Sequence, residues 1–245
     1  MFGKPTMERQ YGHLLAAFRE LVEGSRNHGY FFPEDRAEAA YAALEGIYRR
    51  ATRDPLTGVD TGEHLREQAE EVLRRPERRY RPAVSLLRSD LDNFKNVNDM
   101  LGHDAGDGVL RAYGWILRHG ARRGTDLHGR EGGGADEFIS ILPGADADGA
   151  AVVARSIKGR AEVLKRRYLK QYGDRLTPEA RDVITDLDVS MGIASTHGDA
   201  SYPQMRKEAD LALYAVKHLP GKGRKAIGIF RGGQHIEIVP LPEQV

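Results

Sequence analysis

The sequence has no cysteine among its 245 residues. Disulfide bridges, thiolate zinc sites and cysteine nucleophiles are therefore excluded, and any metal ion must be held by oxygen atoms or imidazole rings. The sequence also lacks a run of roughly 18 to 20 apolar residues, which a membrane-spanning helix requires. Its first residues carry charges where a signal peptide has its apolar segment. We therefore expect a cytoplasmic protein with no membrane partner.

A strong charge of either sign is missing as well. The 37 Lys and Arg residues nearly balance the 36 Asp and Glu residues, which leaves a formal net charge of +1. Such a chain has no overall field to attract a nucleic acid polymer, so we expect none as a partner. With 40% hydrophobic and 30% charged residues, the composition is that of a globular protein with one principal domain.

Apolar residues at helical spacing mark the first 52 residues. Leu14, Phe18 and Leu21 share one face of a predicted helix over residues 8–25, and a second helix is predicted over residues 34–52. The two helices would form a hairpin. We interpret it as a dimerisation or regulatory region, because no chemistry-bearing residues cluster there.

From Asp54 onward, predicted strands alternate with predicted helices. The strands are predicted at 83–92, 125–129, 137–142, 189–194 and 226–230, and the helices at 106–120, 146–172 and 202–218. The glycine-rich residues 131–136 separate two short strands and predict a hairpin. This order predicts an α/β or α+β domain.

Acidic residues stand at two of these strand ends. Asp90 and Asp92 close the first strand and, being two residues apart, share one of its faces. Asp136 and Glu137 stand at the predicted hairpin, which could lie beside them. Such a group would make an all-oxygen site suited to magnesium. The alternative is that these acids are solvated loop residues.

Residues 93–107 are dense in amides, acids and glycine, and we interpret them as a loop. Its backbone N–H groups and Lys95 could bind phosphates, and an Asn with an Asp could bind the edge of a guanine base. A basic set that includes Lys217 and Arg224 near the C-terminus predicts either a second phosphate contact or a surface loop.

Together these segments resemble the GGDEF family of diguanylate cyclases over roughly residues 52–231. The matching segments are 53–58 (RDPLTG), 90–107 (DLDNFKNVND followed by GH and GD), 136–138 (DEF), 190–194 (SMGIA) and 209–217 (ADLALYAVK). The resemblance implies a palm-like nucleotide-cyclase domain at 53–232, with a central, mostly antiparallel sheet flanked by helices. The helical region at 1–52 would precede it and a C-terminal tail at 233–245 would follow.

The resemblance also implies an activity, the condensation of two GTP molecules into cyclic di-GMP, a bacterial second messenger, and pyrophosphate. Two Mg²⁺ ions, or Mn²⁺, would be held by Asp90, the Leu91 carbonyl and Glu137, with Asp136 as a further catalytic acid. The residues implied in GTP binding are Asn98 and Asp107 at guanine, and Asn93, Phe94, Lys95, Lys217 and Arg224 at the triphosphate. Each domain would hold one GTP, which implies a homodimer.

Two motifs bear on regulation and on activity. Arg123 and Asp126 match the family's RxxD pattern, which implies an inhibitory site for the product, although plain surface charge is the alternative. The segment from Arg130 to Phe138 is two residues longer than the usual RxGGDEF. Either Gly134-Ala135 is an insertion after the family glycines, or it replaces them and puts a Cβ where GTP approaches.

We expect an active enzyme, because the acids and the nucleotide contacts are retained. One alternative is an inactive signalling protein that binds GTP or cyclic di-GMP. Another is a cyclic dinucleotide synthase of mixed base specificity. Asp107 argues against the latter, since a carboxylate suits guanine's paired donors and not the N1 acceptor of adenine.

Overall fold

The computed structural model describes residues 34–74, 82–120, 124–132, 136–219, 226–233 and 235–241. The helix predicted over 8–25, and with it one half of the helical hairpin, lies outside these residues. Within them, every helix is too short or too polar to span a membrane.

Seven helices and seven strands make up the described residues. The helices are α1 (Glu34–Thr52), α2 (Gly62–Arg74), α3 (Phe94–Leu101), α4 (His103–Gly120), α5 (Ala147–Tyr172), α6 (Pro178–Asp186) and α7 (Tyr202–Lys217), with a 3-10 turn at Gly173–Arg175. The strands are β1 (Asp60–Thr61), β2 (Val84–Asp92), β3 (Leu127–Arg130), β4 (Glu137–Pro143), β5 (Asp188–Thr196), β6 (Ala226–Phe230) and β7 (Ile236–Pro240).

All seven strands form one sheet in the order β1-β3-β4-β2-β5-β6-β7. The pairs β1–β3 and β5–β6 are parallel and the other four are antiparallel, which confirms the predicted mostly antiparallel sheet. β2 lies at its centre, and its residues from Val84 to Leu91 are buried. The C-terminal end of β2 therefore emerges between β4 and β5.

Helices cover both faces of the sheet because each strand alternates its side chains between two apolar layers. On one face, Leu87, Phe138 and Met191 pack in a cluster with α4 and α5. On the other, Leu86 and Ile139 pack in a second cluster with α2 and α7. Full burial of each such side chain stabilises the fold by roughly 1.5–3 kcal/mol.

Two glycines bring α7 very close to the sheet. A Cβ atom at Gly192 of β5 would lie 2.2 Å from the Ala209 carbonyl oxygen, and one at Gly228 of β6 would lie 2.3 Å from the Ala212 carbonyl oxygen. Both obstacles are helix backbone, so only glycine fits at either position. This packing fixes the path of α7, which ends at Lys217.

Residues 93–107, predicted as a loop, form two helices instead, α3 and the first turns of α4. The loop interpretation was wrong because the apolar stripe of α3 is short: only Phe94 and Val97 are buried, among polar neighbours. The helix predicted from Gly106 begins at His103. Further elements that the sequence did not suggest are α2, α6, β1 and β7. The last of these pairs with β6 inside the predicted C-terminal tail.

Candidate functional site

The end of β2 brings three of the predicted acids together. Asp90 is directly opposite Glu137 on β4 and opposite Ser190 on β5. The Leu91 N–H group donates a hydrogen bond to the Asp136 carbonyl oxygen at 3.3 Å. Directly opposed residues of antiparallel strands have neighbouring side chains on one face. Asp90 and Glu137 are therefore neighbours, with Asp136 beside them.

The hairpin between β3 and β4 keeps Glu137 in place although it is longer than the family pattern. Arg130 is in register with Phe138, and the Glu131 N–H group donates to the Glu137 carbonyl oxygen at 3.0 Å. The extra residues therefore fall between Glu131 and Glu137 in the chain. Since residues 133–135 are outside the described part of the chain, the choice between an inserted and a replaced glycine pair stays open.

The acids at this edge lie close enough to affect one another. Burial raises the pKa of Asp136, and the neighbouring Asp90 carboxylate raises it further. The Lys217 ammonium, 2.6 Å from the Asp90 carboxylate, partly offsets this effect. The C-terminal end of β2 thus carries an excess of negative charge, and the Lys217 ammonium is already paired with Asp90.

The carboxylate oxygens at this strand end fit a divalent cation that also binds phosphate. No three Asp, Glu or His side chains in the described ranges are arranged to bind a metal by themselves. The Asp90 and Glu137 carboxylates, at directly opposed positions of β2 and β4, form a smaller all-oxygen set. Mg²⁺ is typically bound in this way, by one or two carboxylates completed with water and substrate phosphate oxygens. The position of the Lys217 ammonium supports this fit, because it shows that Asp90 accepts a cation.

Asp92 faces a different partner from Asp90. Its carboxylate accepts hydrogen bonds of 2.9 and 2.8 Å from the Ser190 hydroxyl. Burial raises the pKa of Asp92, and the Ser190 hydrogen bond opposes this shift. Nearby, the buried Lys158 forms a 3.1 Å ion pair with Asp188. Asp92 therefore belongs to a polar group on the β5 side of the site.

Asn98 and Asp107, the predicted guanine contacts, lie on the adjoining helices α3 and α4. The chain turns between these helices at Gly102, whose φ is 85°. A Cβ atom at Gly106 would lie only 1.9 Å from the Asn98 side-chain oxygen. Glycine at this position therefore lets the Asn98 amide lie against the first turns of α4. Both side chains are half-buried, and the Asp107 carboxylate lies 3.5 Å from the Arg111 guanidinium.

The first turn of α3 follows directly after β2. Asn93 adopts a left-handed conformation with φ of 61°, and its side chain donates to the Asp186 carbonyl oxygen instead of capping the helix. First-turn amides have no partner within a helix and favour anions. Phe94 is buried and Lys95 is exposed. This turn therefore presents backbone amides and a lysine beside the acids.

Two predicted residues lie outside the described part of the chain, Arg123 of the inhibitory site and Arg224 of the triphosphate site. Asp126 is half-buried before β3. The predicted inhibitory site therefore stays a prediction.

The RDPLTG segment forms a turn that anchors β3. The Asp54 carboxylate accepts a 2.9 Å hydrogen bond from the Thr57 N–H group and a 3.3 Å bond from Arg130, the last residue of β3. Burial raises the pKa of Asp54, but these bonds outweigh it and leave the pKa below its usual value. The segment thus has a structural role, because it fixes the strand that leads into the hairpin.

An ionic group beside the acids was missed by sequence reasoning. Arg88, two residues before Asp90, is buried and lies 3.0 Å from a Glu137 carboxylate oxygen. Arg88 also lies 3.2 Å from Glu131, and Glu131 in turn pairs with Arg206. The one signal in the sequence was a basic residue in the middle of a strand predicted to be buried.

Comparison with known proteins gives a single family. The sequence model of the family described as "Diguanylate cyclase, GGDEF domain" matches residues 51–223. The response regulator PleD of Caulobacter vibrioides is 31% identical over 185 residues, 75% of this chain and 37% of PleD. The probable diguanylate cyclase DgcC of Escherichia coli is 33% identical over 172 residues, 68% of this chain and 41% of DgcC. The chain spans about two fifths of the length of these relatives.

Solved structures agree with the predicted fold. The coiled coil and GGDEF domain of DgcB from Caulobacter crescentus, in complex with c-di-GMP, covers 80% of this chain and 93% of its own, with a TM-score of 0.62 at 25% identity. The structure of diguanylate cyclase SiaD of Pseudomonas aeruginosa, in complex with its activator SiaC, matches 85% of this chain and 71% of SiaD. The TM-score is 0.57 at 28% identity.

Proposed function

The chain belongs to the diguanylate cyclase family that the GGDEF domain defines, and we propose that it condenses two GTP molecules into cyclic di-GMP and pyrophosphate. The observation that carries this proposal is the convergence of Asp90, Asp136 and Glu137 at one strand end, beside Lys217 and the first turn of α3. The c-di-GMP bound to the GGDEF domain of DgcB supports it.

In the proposed mechanism, divalent cations, Mg²⁺ or Mn²⁺, would be held by Asp90, the Leu91 carbonyl and Glu137. Cations bound there would lower the pKa of the ribose 3′-hydroxyl and neutralise charge on the departing pyrophosphate. Asp136 adds negative charge next to the ligands and strengthens the attraction for cations.

The rest of the site would hold one GTP. Asn98 and Asp107 bind guanine, with the Asp107 carboxylate accepting from the paired donors on its edge. The amides at Asn93 and Phe94 bind the triphosphate, together with Lys95, Lys217 and Arg224. Lys217 would have to release Asp90, or share it, when a cation and phosphates arrive.

One GTP for each domain means that two domains must face each other, so we infer a homodimer. The helical region at 1–52 would promote or regulate this contact. We place the protein in the cytoplasm, where its proposed substrate GTP is made. Arg123 and Asp126 would bind the product as an inhibitor.

The test is product analysis by mass spectrometry after incubation of the purified protein with GTP and Mg²⁺. We expect cyclic di-GMP with pyrophosphate. Asp90→Ala and Glu137→Gln should each lower the rate by at least about 100-fold, because each removes a charge that acts on the transition state. Asp107→Asn should raise the KM for GTP more than it lowers kcat.

A wild-type protein that releases no pyrophosphate at any protein concentration would contradict the proposal. If calorimetry then showed GTP or cyclic di-GMP binding without turnover, the protein would be a nucleotide-binding signalling protein. Mixed or adenine-containing products in a GTP and ATP competition would instead indicate a synthase of broader base specificity.

A further inference from the structure

Arg88 occupies an unusual position for a charged residue. It lies in the central strand β2, on the same face as Asp90, and its side chain is only 7% exposed. Its Nε atom is buried and has no hydrogen-bond partner among the described residues. A buried guanidinium is tolerated only where carboxylates compensate its charge.

Three carboxylates surround this guanidinium. Nη2 lies 3.0 Å from Glu137 Oε2 and 3.2 Å from Glu131 Oε2, and Nη1 lies 3.4 Å from Asp210 Oδ1. Glu137 is the proposed metal ligand, so the cation and Arg88 compete for the same carboxylate. The charge of Arg88 must therefore be compensated elsewhere if Glu137 is to bind a metal.

Glu131 is the best placed of the other two acids. Its side chain is 14% exposed and is held in place by Arg206, with Nε 2.6 Å from Oε1 and Nη2 3.0 Å from Oε2. Asp210, in contrast, is 57% exposed and lies at the longest of the three distances. Solvent screens an exposed carboxylate much more than a buried one.

We propose that Glu131, oriented by Arg206, is a positioning residue that compensates the charge of Arg88 and so leaves Glu137 available to a divalent cation. The proposal rests on the proposed function, because it assumes that Glu137 is a metal ligand. It assigns a role to three residues outside the predicted site.

The physical argument gives a definite sign for each variant. Replacing Glu131 by Gln removes one of the three carboxylates around Arg88 and leaves Glu137, at 3.0 Å, and the exposed Asp210. The pair of Arg88 with Glu137 should strengthen and compete more strongly with a cation. Replacing Arg88 by Met removes the competitor, while Glu131 keeps its partner Arg206 and no charge is left buried alone.

The experiment is a titration of the full chain with Mn²⁺ alone, in which the EPR signal reports the free ion. Glu131→Gln should weaken Mn²⁺ binding by about 10-fold, the usual scale for a residue that supports a metal ligand. The double variant with Arg88→Met should bind Mn²⁺ within about threefold of wild type. The same order should hold for the Mg²⁺ concentration that gives half-maximal activity.

This rescue separates the proposed role from a merely structural one. If the ion pairs only stabilised the hairpin, the double variant would be at least as impaired as Glu131→Gln. Glu70→Gln, which removes an exposed ion pair with Arg74, serves as the matched control and should leave Mn²⁺ binding unchanged. Asp90→Ala should abolish the measured binding and so identifies the site.

Unchanged Mn²⁺ affinity in Glu131→Gln, or a double variant as weak as the single one, would overturn the proposal. If Glu131→Gln fails to fold, Arg88→Met alone decides, because the proposal requires equal or tighter Mn²⁺ binding and weaker binding contradicts it. Neither measurement needs turnover. A protein that makes no cyclic di-GMP but shows the rescue would therefore refute the proposed function and not this inference.

Discussion

At the scale of single residues, His128 links the fold to pH. It lies in β3 with a 2.8 Å hydrogen bond between its Nδ1 atom and the Ser140 hydroxyl. The Nε2 atom is buried and has no partner among the described residues. Burial lowers the pKa of His128 from 6.5 to about 4, because a buried imidazolium would lose its hydration.

The direction of the pH effect follows from this shift. Between pH 6.5 and about 4, the unfolded chain binds a proton at His128 that the folded protein does not bind. The stabilisation is therefore complete above pH 6.5 and falls as the pH drops toward 4. From about pH 7.5 to about pH 5, His128 should cost the wild type up to about 2 kcal/mol in free energy of unfolding.

Urea unfolding at these two pH values, followed by circular dichroism, measures this loss. We expect His128→Gln to be less stable than wild type at about pH 7.5 but to lose less stability on acidification. Equal losses in the two proteins would show that His128 titrates normally in the folded state.

The sequence indicated the residues of the candidate site that carry obvious chemistry. Asp90, Asp136 and Glu137 were recognisable from strand ends and from the family resemblance, and the structure brings them together. It could not indicate that Glu131 and Arg206 meet, because 75 residues separate them. Only the pairing of β3 with β4 and the packing of α7 on the sheet bring these charges into contact.

At the scale of elements, the close packing of α7 on β5 gives a direct test. Besides the Ala209 carbonyl oxygen, the Leu213 nitrogen would lie only 2.3 Å from a Cβ atom at Gly192. Gly192→Ala should therefore force α7 away from the sheet and destabilise the protein by about 1–3 kcal/mol. It should also reduce cyclase activity at temperatures where the variant is folded, since α7 carries Lys217.

Gly159→Ala is the matched control for this substitution. Gly159 lies inside α5, where a Cβ atom would have no heavy atom within 4 Å other than the adjacent backbone of its own helix. Alanine is the better helix former, so this variant should be up to about 1 kcal/mol more stable than wild type. Thermal unfolding of both variants checks the pair. A Gly192→Ala protein as stable as wild type would show that α7 can shift without cost.

Elements with a long, regular pattern were predicted closely from the sequence. The strand β6 was predicted at its observed bounds, and α5 and α7 within one residue at an end. The helices α3 and α6 were missed, since they have only eight and nine residues and few buried side chains. The strand β7 was missed because none of its residues is fully buried and its alternation is weak. Tertiary pairing, and not local sequence, determines these elements.

At the scale of the whole molecule, the proposed reaction needs more than one chain. The acids lie at the C-terminal end of β2 and α3 follows directly, so the proposed guanine and phosphate contacts would hold one GTP there. Cyclic di-GMP contains two phosphodiester bonds, each formed between two nucleotides. The proposed activity therefore requires the sites of two chains to face each other. The rate of cyclic di-GMP synthesis per chain should depend on protein concentration.

Subunit mixing tests this requirement. Asp90→Ala chains should still dimerise, because Asp90 lies at the strand end and not in either apolar cluster. A mixed dimer has one complete site and cannot form both phosphodiester bonds.

A tenfold excess of Asp90→Ala chains should therefore lower the amount of cyclic di-GMP that a fixed amount of wild type makes. The fractional loss should be about equal to the fraction of wild-type chains that are captured in mixed dimers. An equal excess of Gly159→Ala chains should instead add activity. If the Asp90→Ala excess leaves wild-type turnover unchanged under conditions where light scattering shows dimers, each chain works alone and the face-to-face arrangement is wrong.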